Sequence, residues 1–463
     1  MYNPSKQFRC EIIRGRTRSA DDLLPAYAEI IYDICPCTEE IFGIEFNKQL
    51  SETLGNTTNK TLNNHRTEIA GKLFGMYYKN SEGIIFMSER TEKLLRTSDQ
   101  PAFFKDICFK LQFPNGMDKF HTLKEKIRNK LSIRQYPFIL KVLMLSYDYG
   151  YFLTKDDVGY YILNSLHVLQ GLVTPEEVVK KIIEDKKENI TKKVNTPGKP
   201  SSYSVQHINE QINYLELANL IKVKQKVIYI NLKEEKTINL ISEYWKAPLE
   251  FDVYKYNIEK LEGKNSLYYD WQLYYSQLNS SIDFSTTMDE LNVEESTSNN
   301  EKSQSKTTTV EIGDEGERVV FQYEKNRVKS FNTRLANKVV HLGKTKGLGY
   351  DIQSVLAEPG DFAEFVKFIE VKTTKRVTPP DIKKGILNDT VNLTRNEYIA
   401  AAQNRENYVI YRVYLTPGQI TMLVIKDPFG KIQNNDMKCT PLTYRLDFSA
   451  SAIDEYLGEE GLK

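Results

Sequence analysis

In the last third of the chain the spacing of apolar residues switches between the periods of helix and strand. Gly313-Asp314-Glu315-Gly316-Glu317-Arg318-Val319-Val320-Phe321 sets acidic residues in a first turn and then a periodic apolar face, which predicts a helix start. Glu364-Phe365-Val366-Lys367-Phe368-Ile369-Glu370-Val371-Lys372 predicts a strand with too many apolar residues for an exposed edge, so its charged end needs a reason. Leu393-Thr394-Arg395-Asn396-Glu397-Tyr398 opens an alanine-rich helix, with Thr394 as cap and Glu397 at its third position, a capping box. Tyr408-Val409-Ile410-Tyr411-Arg412-Val413-Tyr414 then predicts a further strand.

Along an extended strand, residues two apart share a face, so Glu370 and Lys372 point one way and Val371 faces the opposite, apolar layer. A hairpin partner carrying Gly349-Tyr350-Asp351-Ile352 would present Asp351 beside them. Two carboxylates and an ammonium in this layout suit a metal-dependent phosphodiesterase. Mg²⁺ takes hard oxygen ligands and keeps several waters, so two carboxylates plus phosphate oxygens suffice. The expected catalytic set is Asp351, Glu370, Lys372 and Glu317, with Asp351, Glu370, Val371 and Glu317 as metal ligands. Lys372 would orient the attacking water or neutralise charge developing on phosphorus.

The order helix, strand, strand, strand with Glu-x-Lys, helix, strand resembles the core of the PD-(D/E)XK nuclease superfamily. Gly316-Glu317, Tyr350-Asp351, Glu370-Val371-Lys372 and the Asn396-Glu397-Tyr398 helix look like its subgroup with a resolvase-like core. Tyr350 stands where the signature has proline, a position that varies in the superfamily. The resemblance covers roughly the last third of the chain. It implies in-line hydrolysis leaving a 5′-phosphate.

The first half carries patterns of a different kind. In Ser202 to Leu215, Val205, Ile208, Ile212 and Leu215 fall at helical spacing, which leaves Tyr203, Gln206, His207 and Asn209 nearer the polar face. The hairpin Leu220 to Ile230 follows, and helix then charged hairpin is the tail of a winged helix-turn-helix, whose helix enters the major groove. Basic residues before it, among them Lys193 and Lys199, would lie near phosphates. Thr57 to Leu73 predicts another helix with a polar face: Asn63, Asn64, His65 and Arg66 are residue types that pair with base edges, and Lys60 accompanies them. An N-terminal arm with Arg9, Arg14, Arg16 and Arg18 could follow a groove or clamp phosphates. With Ser204 these are the expected contacts to double-stranded DNA; individually, each also fits a solvated helix face.

Phe8-Arg9-Cys10, Leu23 to Ala28, Asn64 to Met76, Gln100 to Lys110 and Gln211 to Ile221 are similar to the recognition region of the BpuJI family of restriction endonucleases. The likeness runs through long segments between about residues 1 and 240. It implies two winged-helix subdomains reading a short, asymmetric, GC-rich site, and a tethered nuclease cutting outside it. An asymmetric site gives the readers no symmetry to share, so two nuclease domains are expected to self-associate for a double-strand break.

Composition changes this picture little. The chain has 463 residues, 40% of them hydrophobic, enough for several domains with real cores. A net charge of +1 requires that any DNA affinity come from local basic faces. No stretch approaches the roughly 18 apolar residues of a membrane span, and the N-terminus does not begin as a signal peptide, so a cytoplasmic location is expected. Cys35-Pro36-Cys37 with Cys10 or His65 could make a zinc site, but free thiols in a reducing compartment are the commoner outcome. Gly343-Lys344-Thr345 imitates the end of a P-loop, yet Lys338 stands where the first glycine belongs, so no nucleoside triphosphate is expected. The polar stretch around Glu294 to Lys306 marks a linker.

The fold expected is therefore multidomain: a mainly α N-terminal region of two winged helix-turn-helix subdomains (1–115 and 116–275), a flexible linker (276–310) and an α/β PD-(D/E)XK domain (311–463). Two other functions remain compatible with the sequence. One is a nuclease directed to DNA junctions or ends, and the other is a catalytically silent DNA-binding protein.

Overall fold

The computed structural model describes residues 2–13, 20–55, 57–194, 201–279, 282–291, 312–342, 348–357, 365–380 and 389–439. Arg14, Arg16, Arg18 and Lys199 lie outside them, as do the P-loop-like residues 343–345 and most of the polar stretch before the C-terminal region.

In the N-terminal region the order strand, helices, hairpin occurs twice. Strand β1 (Cys37–Thr38) is added beside the hairpin β2 (Tyr77–Lys79) and β3 (Ile84–Met87), in the order β1-β3-β2. Strand β4 (Leu153–Thr154) is added beside the hairpin β5 (Ile221–Lys224) and β6 (Val227–Ile230), in the order β4-β6-β5. The helix before each hairpin is the one predicted from sequence: Asn59–Asn64, continuing as a wider π-helical turn over His65–Leu73, and Ser201–Leu217. The two units share one continuous apolar core, from Cys10 to Phe284, in which Phe104 stacks on Tyr214 at 6.2 Å between ring centroids. That contact joins the segments assigned to separate subdomains.

Helix periodicity misplaced two residues of Ser201–Leu217. Ile208, Ile212 and Leu215 are buried as expected, but Val205 is 41% exposed and His207 only 3%. The N-terminal arm lies against this helix, and its backbone offers His207 a hydrogen-bond partner that solvent would otherwise supply.

Residues 282–291, expected to be linker, are packed. Thr286 donates its N–H to Asp99 Oδ2 at 2.7 Å and its hydroxyl accepts from Lys105 Nζ at 2.8 Å, while its carbonyl accepts from Lys375 Nζ. Asn219 Nδ2 holds the Glu290 carbonyl at 2.8 Å, and Leu291 is fully buried in the C-terminal core. The buried polar partners, not the composition of the segment, order it.

The C-terminal region is a five-stranded sheet of β7 (Val340–His341), β8 (Ile352–Val355), β9 (Val366–Lys375), β10 (Tyr408–Thr416) and β11 (Gln419–Lys426), in the order β11-β10-β9-β8-β7. All neighbours are antiparallel except β9 and β10, which are parallel and joined through the helix Arg395–Asn404. One face is covered by the helix Ile312–Phe331 over Ile352, Ile369, Val371 and Val413; the other by Ala400 and Ala401 over Tyr408 and Ile410. Gly316 lets the long helix approach β9, because a Cβ there would collide with Thr373 Oγ1.

Candidate functional site

The alternation of β9 separates its residues as the spacing requires. Val371 joins the apolar cluster under the long helix, and Glu370 and Lys372 project on the opposite face. The pairing Ile352 with Ile369 brings the end of β8 alongside, and the Asp351 N–H donates to the Ile369 carbonyl at 2.9 Å. Asp351 then turns its Oδ2 onto the Val371 N–H, 2.8 Å away. Gly349, with φ of 76°, makes the turn into this segment, and a Cβ there would collide with the Asn396 carbonyl and with Ala400.

Lys372 Nζ lies between two carboxylates, 2.7 Å from Glu370 Oε1 and 2.8 Å from Glu397 Oε2. Glu397 is the capping residue read from sequence, and its Oε2 also accepts from the Thr394 N–H at 2.9 Å. Glu317 sits at the rim and pairs with His341 Nε2 at 2.6 Å. Its position beside Asp351 follows from the Gly316 contact, whereas nothing in the sequence pointed to His341.

Burial raises both central carboxyl groups. For Asp351, desolvation outweighs the Val371 N–H, with Glu317 adding repulsion. For Glu370, desolvation is again largest, and Asp351 and Glu397 oppose the relief given by Lys372. Burial would lower Lys372, but Glu370 and Glu397 more than compensate and hold it charged. The cluster therefore carries more negative charge than its own ammonium neutralises, a donor set suited to a hard cation. Among the described residues, no three His, Cys, Asp or Glu side chains converge as a ready metal cage. Two carboxylates and a main-chain carbonyl, completed by water and phosphate, still match the sparse protein ligation Mg²⁺ accepts.

The other predicted contacts divide into two groups. A cleft of about 900 Å³ lies between the two N-terminal units, lined by Asn64, Tyr203, Gln206, His207 and Asn209, and also by Glu68 and Glu210, which the sequence had not singled out. Asn64 and Gln206 are exposed, as are Lys60 and Lys193 outside the cleft lining, while Asn63 accepts from Asn47 Nδ2 at 2.8 Å. The remaining candidates bind the protein to itself. Arg9 is buried, donating from Nε to Ser204 Oγ at 2.8 Å with its guanidinium over the Tyr203 ring. His207 Nδ1 accepts from the Ile12 N–H at 3.2 Å, His65 meets the Tyr27 hydroxyl, and Arg66 Nη1 donates to the Gly43 carbonyl at 2.7 Å. Arg9, Ser204, His65 and Arg66 thus serve packing first, because inward polar contacts outcompete solvent at these half-buried or buried positions. The cysteines are free thiols.

With this geometry described, comparison with known proteins gives the class: a member of a restriction endonuclease family. Residues 2–272 match the family described as "Restriction endonuclease BpuJI - N terminal", and the chain belongs to that family. A solved structure described as "Crystal structure of pyrene- and phenanthrene-modified DNA in complex with the BpuJ1 endonuclease binding domain" is 56% identical, with a TM-score of 0.58, over 60% of this chain and 100% of that one. Residues 316–425 match the family described as "Protein NO VEIN, C-terminal". No curated protein matches the chain. No helix among the described residues is long and apolar enough to cross a membrane.

Proposed function

We propose that the chain is a sequence-specific double-stranded DNA endonuclease that reads a short asymmetric site with two winged-helix units and hydrolyses phosphodiester bonds outside it at a PD-(D/E)XK-type centre. The observation that carries the reading is the convergence of Asp351, from the turn before β8, with Glu370 and Lys372 of β9, on a chain whose first half belongs to a restriction endonuclease family. In this reading Asn64, Gln206 and Asn209 face base edges in the cleft, and Lys60 and Lys193 meet phosphates. Arg14, Arg16, Arg18 and Lys199 remain further candidate phosphate contacts.

Asp351, Glu370 and the Val371 carbonyl would hold Mg²⁺, with Glu317 behind them. Bound there, the ion would supply Lewis-acid neutralisation of the phosphate. Lys372, held charged, donates hydrogen bonds to the attacking water or to a non-bridging phosphate oxygen. Attack on phosphorus forms the new P–O bond as the bond to the 3′ oxygen breaks, giving a 5′-phosphate and a 3′-hydroxyl. One centre cuts one strand, so the C-terminal domains of two chains pair on DNA. A cytoplasmic setting fits this work and the free thiols.

The test is incubation of the purified protein with a long linear DNA of known sequence, with Mg²⁺ and with EDTA, followed by sequencing of all new ends. Metal-dependent ends at fixed offsets from one short asymmetric sequence are expected. Ends only at termini or branches would replace this reading with a structure-directed nuclease, and no metal-dependent ends with a silent DNA-binding protein.

A further inference from the structure

The ammonium of Lys372 has two counter-ions on different elements. Glu370 comes from the same strand and belongs to the proposed cation-binding set; Glu397 comes from the first turn of Arg395–Asn404. A carboxylate that ligates a cation is no longer fully available to a lysine, so Glu370 cannot be the group that keeps Lys372 in place during the reaction. Glu397 can. Its backbone N–H is tied to Thr394 Oγ1 at 3.3 Å and its Oε2 to the Thr394 N–H at 2.9 Å, so the carboxylate is fixed before Lys372 arrives. The helix that carries it is fixed in turn by Ala400 and Ala401 against β10, and by the close approach of Gly349 to the Asn396 carbonyl. The same contact sets the turn that delivers Asp351.

We propose that Glu397 is a positioning residue that holds the Lys372 ammonium over the reacting phosphate once Glu370 is engaged elsewhere. A lysine side chain has four rotatable carbons and a point charge with no planar geometry of its own, so its placement depends on such a partner. The capping box thus performs two tasks with one carboxylate: it closes the helix N-terminus and directs an ammonium 25 residues earlier in the sequence.

The proposal rests on reading the centre as a metal-dependent nuclease, and one experiment separates the two. Single-turnover cleavage of site-containing duplex is measured at saturating protein for the full-length wild type, Glu397→Ala, Glu397→Gln, Thr394→Ala, Lys372→Ala and the Lys372→Ala/Glu397→Ala double variant, across a Mg²⁺ titration, with duplex affinity and thermal stability alongside. Glu397→Ala is expected to cut roughly 10 to 100-fold more slowly at saturating Mg²⁺ with unchanged duplex affinity. Glu397→Gln, which keeps both the cap and an acceptor for Lys372, should recover most of the rate. Thr394→Ala, which removes only the cap hydroxyl, should match Glu397→Ala in stability and the wild type in rate. The double variant should be no slower than Lys372→Ala alone. Equal rates for Glu397→Ala and wild type would overturn the proposal. So would a Glu397→Ala defect that disappears at high Mg²⁺, which would make Glu397 a cation ligand, or a Thr394→Ala rate as low as that of Glu397→Ala, which would make the role structural. A wild type without Mg²⁺-dependent cutting would instead remove the reading of the centre.

Discussion

Each face of strand β9 presents a lysine paired with a glutamate, and the two pairs differ in what surrounds the carboxylate. On the face under the long helix, Lys367 Nζ lies 3.0 Å from Glu324 Oε1, and Glu324 also accepts from Arg327, from Tyr411 and, at 2.7 Å, from Ser354 Oγ. Burial would raise that carboxyl, but its donors outweigh burial and hold it down at about 2. Burial lowers Lys367 at the same time; the carboxylate, with donors on both oxygens, sets the character of the cluster. On the other face Lys372 pairs with Glu370 at 2.7 Å, yet Glu370 is pushed up, because burial strips it of solvent and Asp351 and Glu397 add like charge. One pair is saturated and closed. The other is left short of positive charge at a half-open position, which is the state a structural network avoids and a cation-binding centre needs.

The sharpest break between the two faces is functional. Asp351→Ala and Lys372→Ala should each lower cleavage by about 10³-fold or more while leaving site binding intact, since neither lines the N-terminal cleft; cleavage assays beside gel-shift titrations check this. Loss of sequence-specific binding in either variant would mean the centre is misplaced.

Next in size is stability. Glu324→Ala strands Lys367 and Arg327 in the interior and should cost about 3 to 5 kcal/mol, read by denaturant unfolding of the full chain. Glu370→Gln in EDTA should cost nothing or stabilise, because it removes a charge the fold holds at a disadvantage. A destabilisation by Glu370→Gln as large as that by Glu324→Ala would erase the distinction.

The pH dependence has opposite signs on the two faces. Glu324, depressed from 4.5 to about 2, contributes stability that is present above 4.5 and lost as pH falls toward 2. Glu370, raised from 4.5 to about 8, keeps its proton in the folded chain where the unfolded chain has released it. Metal-free stability should therefore decline as pH rises from about 4.5 to about 8, and Glu370→Gln should flatten that slope. Thermal melts in EDTA at a series of pH values test both.

The smallest effects belong to the N-terminal half, where exposed polar side chains contrast with inward-bound ones. Replacing Asn64 or Gln206 by Ala should cost about 1 to 3 kcal/mol at one base position and relax specificity there. Replacing Arg66 should instead lower stability and leave the sequence preference unchanged, since its guanidinium is bound to the Gly43 carbonyl. Binding-site selection with each variant separates the two outcomes.

Much of the candidate centre was legible because its logic is local. The Glu370-Val371-Lys372 alternation is a property of any strand, and the Thr394–Glu397 capping box of any helix start, so period and spacing were enough to place Val371 in the core and Glu397 at a helix N-terminus. The helix and hairpin order of the N-terminal half was legible for the same reason. Tertiary structure alone decided which polar groups are available. Arg9 reaches Ser204 across 195 positions, His341 meets Glu317, Glu397 meets Lys372, and residues 282–291 gain order from Asp99, Lys105 and Asn219. Hydrophobic period fixes the face on which a side chain stands, but a charge or hydroxyl is taken up or left open by whatever distant segment folds against that face, and its burial and partners set its chemistry.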